Sequence, residues 1–241
     1  MIKLGTTSVT MPEGFAKVLL GTDLVWERVV VGDLIVIMHD GTVISYNDNV
    51  VGYPWPDMSA YRVLTGITYD TGVYYKITNF YLKGSDTIRF SFSCKKACNV
   101  LGCYTSASAT DNYSLYVSTS SGSKYMRYNG GTYNSYFSSG NLNTRKNIVI
   151  SPTGTSGMPT DSTWTQQNFT APVPLCIGTT AESATSSKLS GTIYGDIEVD
   201  GRLYLIPVER ISDSEIGYFD VFTGNFYTNQ GSGTPTKLGY A

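Results

Sequence analysis

One stretch limits the folds open to this chain more than any other: Gly191-Thr-Ile-Tyr-Gly-Asp-Ile-Glu-Val-Asp-Gly-Arg-Leu-Tyr-Leu-Ile-Pro207. Leu189, Gly191, Ile193, Gly195, Ile197 and Val199 are apolar or small, with Thr192, Tyr194, Asp196 and Glu198 between them. A period of two puts one side of a strand in a core and the other in water. Asp200-Gly201 then supplies the positive φ values of a tight hairpin turn, and Arg202–Val208 returns as the partner strand. A second hairpin follows, in which Gly217–Phe222 turns at Thr223-Gly224-Asn225 into Phe226–Thr228. The chain therefore closes as an antiparallel sheet.

The 241 residues allow one large β domain, or a small module joined to a medium one. Charged residues make up 15% of the chain, against about 25% in an average globular protein. With 19 Tyr and 25 Gly, its surface is made of hydroxyls, amides and phenols. Such a surface suits extracellular or virion β proteins with neutral polar partners such as sugars. A net charge of −2 argues against an electrostatic nucleic-acid binder, which needs a basic stripe to displace counterions. Lys95-Lys96 and Arg145-Lys146 are isolated basic pairs and read as solvated loop ends. No window approaches the roughly 18 apolar residues of a membrane span, so no membrane insertion is expected. The opening Met1-Ile-Lys-Leu-Gly5 has neither the apolar core nor the cleavage site of a signal peptide, which sets the expectation that the signal-peptide route is not used.

Cys94, Cys98, Cys103 and Cys176 have no knuckle spacing, and His39 is the one histidine. A Cys/His zinc site is therefore short of ligands, and no metal or other cofactor is expected. The cysteines read as reduced, mostly small core residues. Cys94 continues the apolar face Ile88-Phe90-Phe92.

At the other end, Leu4-Gly5-Thr6-Thr7-Ser8-Val9 is echoed by Leu20-Gly21-Thr22-Asp23-Leu24-Val25. Each copy reads as a turn with a short β segment and needs a neighbour to pack on. Asp33–Met38 and Thr42–Tyr46 flank His39-Asp40-Gly41 as a further hairpin. Two prolines around Trp55, in Gly52–Pro56, mark an extended connector and a module boundary. Strand-like runs follow at 74–82, 87–94, 100–104, 113–118, 124–128, 147–151 and 173–178, separated by Ser-, Thr-, Gly- and Asn-rich turns. Many short strands and no convincing helical period predict an all-β sandwich or jelly roll. Residues 1–56 are expected to form a hairpin assembly region with its linker, and residues 57–241 the sandwich.

Several segments carry a resemblance. Tyr61–Val73, Pro174–Gly178, Leu189–Tyr194, Leu205–Val208 and Ile216–Asn229 together resemble strands of the concanavalin A-like (laminin-G-like) jelly-roll domains of bacteriophage and prophage virion proteins. The Leu-Gly-Thr repeats look like the short assembly modules that precede such domains in phage tail, baseplate and fibre proteins. The resemblance covers most of residues 57–241 and, separately, 1–26. It implies a virion component, assembled in the host cytoplasm, whose jelly roll faces the host and binds cell-surface glycan. It also implies contacts with other virion proteins through the N-terminal region and, by analogy, a homotrimer. It fixes no set of sugar-binding residues, because loops of such folds vary in use. The acidic-and-Asn metal cluster of legume lectins is not recognisable in this chain.

The residues themselves offer two candidate sites. Tyr104, Tyr113, Tyr116, Tyr125, Tyr128, Tyr133 and Tyr136 cluster among Ser, Asn and Gly, and flat rings stack on the apolar faces of sugars while nearby amides bond the hydroxyls. Against this, tyrosine is also an ordinary strand residue. Asp196, Glu198 and Asp200 would share one strand face, with Cα atoms about 6.6 Å apart per pair. That spacing is near what glycoside hydrolysis requires. The solvent face of a half-buried strand is the favoured reading of these acids. A serine-nucleophile motif does not accompany His39, and no phosphate-cradling loop is present. The expectation is thus a non-enzymatic tail, baseplate or fibre adhesin. The alternatives are a purely structural or decoration protein and a glycoside hydrolase using the three acids.

Overall fold

The computed structural model describes residues 58–70, 72–105, 113–117, 143–157, 163, 168–180 and 188–241, together with the backbone of strands within 2–46 and 123–136. The chain divides into two compact units, residues 1–62 and 63–241. Gly52–Pro56, where the sequence breaks its pattern, lies outside the described residues, as do His39, Trp55 and Trp164.

In the first unit, β1 (Ile2–Leu4) pairs antiparallel with β2 (Thr7–Val9), and β3 (Val18–Leu20) with β4 (Asp23–Trp26). Leu4 faces Thr7 and Leu20 faces Asp23, so the leucines that open the two Leu-Gly-Thr copies occupy equivalent places in two strand pairs. β5 (Val29–Val30), β6 (Asp33–Ile37) and β7 (Val43–Tyr46) make a three-stranded antiparallel sheet. β8 (Tyr61–Val63) spans the division between the units.

The second unit continues with β9 (Gly66–Tyr69), β10 (Tyr75–Ile77), β11 (Ile88–Cys94), β12 (Cys98–Cys103), β13 (Tyr113–Val117), β14 (Ser123–Tyr128) and β15 (Gly131–Tyr136). After these come β16 (Lys146–Ser151), β17 (Gly154–Ser156), β18 (Leu175–Ile177), β19 (Gly191–Val199), β20 (Leu203–Arg210), β21 (Ile216–Asp220), β22 (Phe226–Thr228) and β23 (Thr236–Lys237). They form two antiparallel sheets. The larger has the order β17-β16-β11-β19-β20-β21-β22, with β9 added to β19 and β23 to β9, and the smaller runs β10-β18-β12-β13-β14-β15. There is no helix among the described residues. The protein is an all-β chain whose second unit is a β-sandwich.

Alternation builds the core. Ile88, Phe90 and Phe92 of β11 and Ile148 and Ile150 of β16 are buried together with Leu115 and Val117 of β13, Leu175 and Ile177 of β18, and Ile77 of β10. A fully buried Leu- or Phe-sized side chain contributes about 1.5–3 kcal/mol. The apolar run at 74–82 gives only a short strand, because Asn79 takes a φ of 66° and the Phe80 N–H turns back to the Ile77 carbonyl. All four cysteines are free thiols buried in the sandwich; burial pushes the Cys103 thiol up to about 12.

β19 departs from simple pairing. Arg89 and Ser91 of β11 are two residues apart, whereas their partners Glu198 and Tyr194 are four apart. β19 therefore carries two extra residues, an even number, so Ile193 before the kink and Ile197 and Val199 after it all stay buried on the same face of the strand. Gly195 sits in the kink with a φ of 61°, a left-handed conformation that glycine adopts without steric cost. The neighbour of β19 also changes there: Gly191–Tyr194 lies beside β9, and Ile197–Val199 beside β20.

Three phenols span the sandwich. Tyr69 of β9 and Tyr218 of β21 join hydroxyls at 2.9 Å, while the Tyr75 hydroxyl of β10 donates to the Ile216 carbonyl at 3.2 Å. The Tyr75 ring meets the other two edge-on, with centroids 5.7 and 5.1 Å away. The chain end closes the larger sheet. β23 pairs with β9, Leu64 bridges Tyr240, and the Ala241 N–H donates to the Val63 carbonyl at 3.1 Å. Buried Glu209 accepts from Lys237 Nζ at 2.8 Å and from the Tyr240 hydroxyl at 2.6 Å.

Two outcomes follow from the phenol cluster. Tyr69→Phe and Tyr218→Phe should each cost about 1–3 kcal/mol in urea unfolding, because each leaves the other hydroxyl buried without this bond. The double variant should lose clearly less than the sum; strictly additive losses would show that the bond contributes nothing. Desolvation raises the phenol pKa values of Tyr69, Tyr75 and Tyr218 above the ordinary value. A folded-state pKa raised above the unfolded one gives stability that is full below about pH 10 and lost as pH climbs toward the folded values. Part of the phenolate absorbance should therefore appear only together with loss of near-ultraviolet circular dichroism, above about pH 10.

Candidate functional site

Of the seven candidate tyrosines, the structure describes the side chains of Tyr104, Tyr113 and Tyr116. Tyr113 alternates with Leu115 and Val117 on the inward side of β13 and is wholly buried. As a core side chain it cannot stack on a sugar, which corrects its place among the candidates. Tyr104 and Tyr116 are half-buried; the Tyr104 N–H donates to the Thr180 carbonyl at 2.9 Å. The side chains of Tyr125, Tyr128, Tyr133 and Tyr136 lie outside the described residues. Backbone register sets Tyr125 opposite Tyr116, Tyr128 opposite Tyr113, Tyr133 opposite Met126 and Tyr136 opposite Ser123.

A better-built surface lies on the outward side of the larger sheet. Where Ile88, Phe90 and Phe92 face the core, Arg89 and Ser91 face away, and register aligns Ser91 with Asn147 of β16 on one side and Tyr194 of β19 on the other. The Ser91 hydroxyl donates to Asn147 Oδ1 at 2.6 Å. The Tyr194 hydroxyl and Ser93 Oγ are 3.0 Å apart. Arg145, exposed just before β16, lays its guanidinium over the Tyr194 ring, 5.1 Å from the centroid, and donates through Nη2 to Ser91 Oγ at 3.4 Å. Beyond them Thr68 and Thr192 join hydroxyls at 3.1 Å. The result is a shelf made of the Ser91 hydroxyl, the Asn147 amide, the Tyr194 ring and the Arg145 guanidinium, backed by the buried hydroxyls of Ser93 and Thr192. The ring and the bond to Ser91 both restrain Arg145, so this long side chain is ordered before any ligand arrives.

The sequence pattern puts Tyr194 on the wet side of its strand, but it reads Arg145 as a loop end. Only cross-strand register joins residues more than 50 positions apart in the chain, such as Ser91 and Asn147. A polar residue at every second position of both β11 and β19 was the one available signal.

The three acids lie further along the same side. Arg89 pairs with Asp200 and reaches Glu198 Oε1 at 3.7 Å. Their side chains are partly open to solvent, with Arg89 at 40%, Glu198 at 29% and Asp200 at 47% exposure. Asp196 is half-buried in the kink. One arginine thus engages both carboxylates on an open strand face, the arrangement of a solvated ion pair. No group of three or more His, Cys, Asp or Glu suited to a metal ion occurs among the described residues.

No protein-family model matches the chain, and no curated protein matches it either.

The ion pair of Glu198 leads to a direct expectation. Neither the natural chain nor Glu198→Gln should release reducing sugar from a polysaccharide panel, and release that disappears in the variant would identify a hydrolase.

Proposed function

We propose that the chain is a non-enzymatic virion surface protein, a tail, baseplate or fibre adhesin that attaches to host cell-surface glycan. The observation that carries this reading is the Tyr194–Arg145–Ser91–Asn147 shelf on the outward side of the larger sheet. Hydroxyl, amide and guanidinium groups there are fixed by one another on a rigid scaffold, as recognition of a polyhydroxylated ligand requires. The sequence resemblance of most of residues 57–241 to phage jelly-roll domains, and of the Leu-Gly-Thr repeats to assembly modules, supports the same reading. The N-terminal hairpins would dock on other virion proteins, and a homotrimer would present three sandwiches together. Contacts that are weak one at a time would then gain from avidity.

Labelled full-length protein should be retained by whole cells of a susceptible host and be displaced by that host's soluble surface polysaccharide. Tyr194→Ala removes the ring and frees Arg145, and should lower retention about tenfold. Cells that never retain the protein, even when it is presented as an oligomer, would leave the purely structural or decoration role in its place.

A further inference from the structure

From the charge distribution over the shelf we infer that its ligand is an acidic saccharide, whose carboxylate is taken by Arg145. This inference rests on the adhesin reading and adds the chemical class of the ligand. Arg89 and Arg145 both lie along this outward row, and their partners differ. Arg89 is neutralised by Glu198 and Asp200. Arg145 is held by the Tyr194 ring and the Ser91 hydroxyl, neither of which cancels its charge. Its guanidinium is exposed, and one bond to Ser91 through Nη2 engages few of its five N–H donors. Asn147 lies beside it, exposed, with its side-chain oxygen already accepting from Ser91. The group it can turn toward a ligand is therefore its NH2, another donor. Donors thus converge at this end of the shelf, while the carboxylates sit at the other end around Arg89. A planar guanidinium pairs with the two oxygens of a carboxylate through parallel N–H bonds, and an ordered arginine loses less freedom in doing so. Ser93 and Thr192 are buried and bond the Tyr194 and Thr68 hydroxyls, so they hold the shelf in place rather than meet the ligand.

The test compares full-length protein on two immobilised polymers: a polysaccharide with one uronic acid in each repeat, and the same polysaccharide after its carboxyl groups have been reduced to alcohols. The natural protein should bind the acidic form about tenfold more tightly at moderate salt. Arg145→Ala should bring the two affinities together while the unfolding midpoint moves only slightly, since the side chain is exposed. Arg145→Lys keeps the charge but not the planar fork, and should recover only part of the difference. Equal binding of both forms by the natural protein, or a preference that survives in Arg145→Ala, would overturn the inference and leave the adhesin reading standing. Binding to neither form, by a protein that also fails to bind host cells, would bring down both.

Discussion

The parity of side chains along β19 governs the rest of the second unit. A strand has only two sides, and an odd insertion would turn Ile197 and Val199 into solvent and Glu198 into the core. Instead two residues are added, Gly195 takes the left-handed turn, and the buried series resumes in phase. The kink also lets two different strands, β9 and β20, lie along one edge of β19. The sheet thereby widens without losing its single apolar side. The outward row that carries Tyr194, Ser91 and Asn147 exists because the inward row is kept so strictly.

Phenols serve two purposes in this protein, and composition alone does not separate them. An abundance of tyrosine points toward an adhesive surface, yet Tyr69, Tyr75, Tyr113 and Tyr218 are among the largest fully buried side chains. Three of these form an edge-on cluster in which hydroxyls bond one another or a backbone carbonyl. A buried phenol combines apolar area with one directional bond, so it fixes how the sheets face each other as well as holding them together. Tyr194, the half-buried tyrosine of the shelf, lies outside the tyrosine-rich segment.

The all-β class and both closing hairpins are written plainly in the sequence, because period-two alternation and Asp-Gly or Thr-Gly-Asn turns are local signals. The strands at 88–94, 113–117 and 146–151 were visible for the same reason. Two kinds of feature were hidden. One is the kink in β19, whose even insertion leaves the alternation looking unbroken. The other is the shelf, which depends on Arg145 and Asn147 reaching Ser91 and Tyr194 across three strands, a matter of register that no short window contains. The short edge strand β23 escaped notice because Thr236-Lys237 has no apolar pattern of its own and is held by pairing with β9 and by the buried Glu209.

That last strand lies hydrogen-bonded beside the segment that opens the sandwich, with Ala241 against Val63 and Tyr240 against Leu64. Entry and exit of the polypeptide thus meet at one corner of residues 63–241. A short splice could join them while a new opening is cut in the exposed turn at Asp200-Gly201, leaving the arrangement of strands intact.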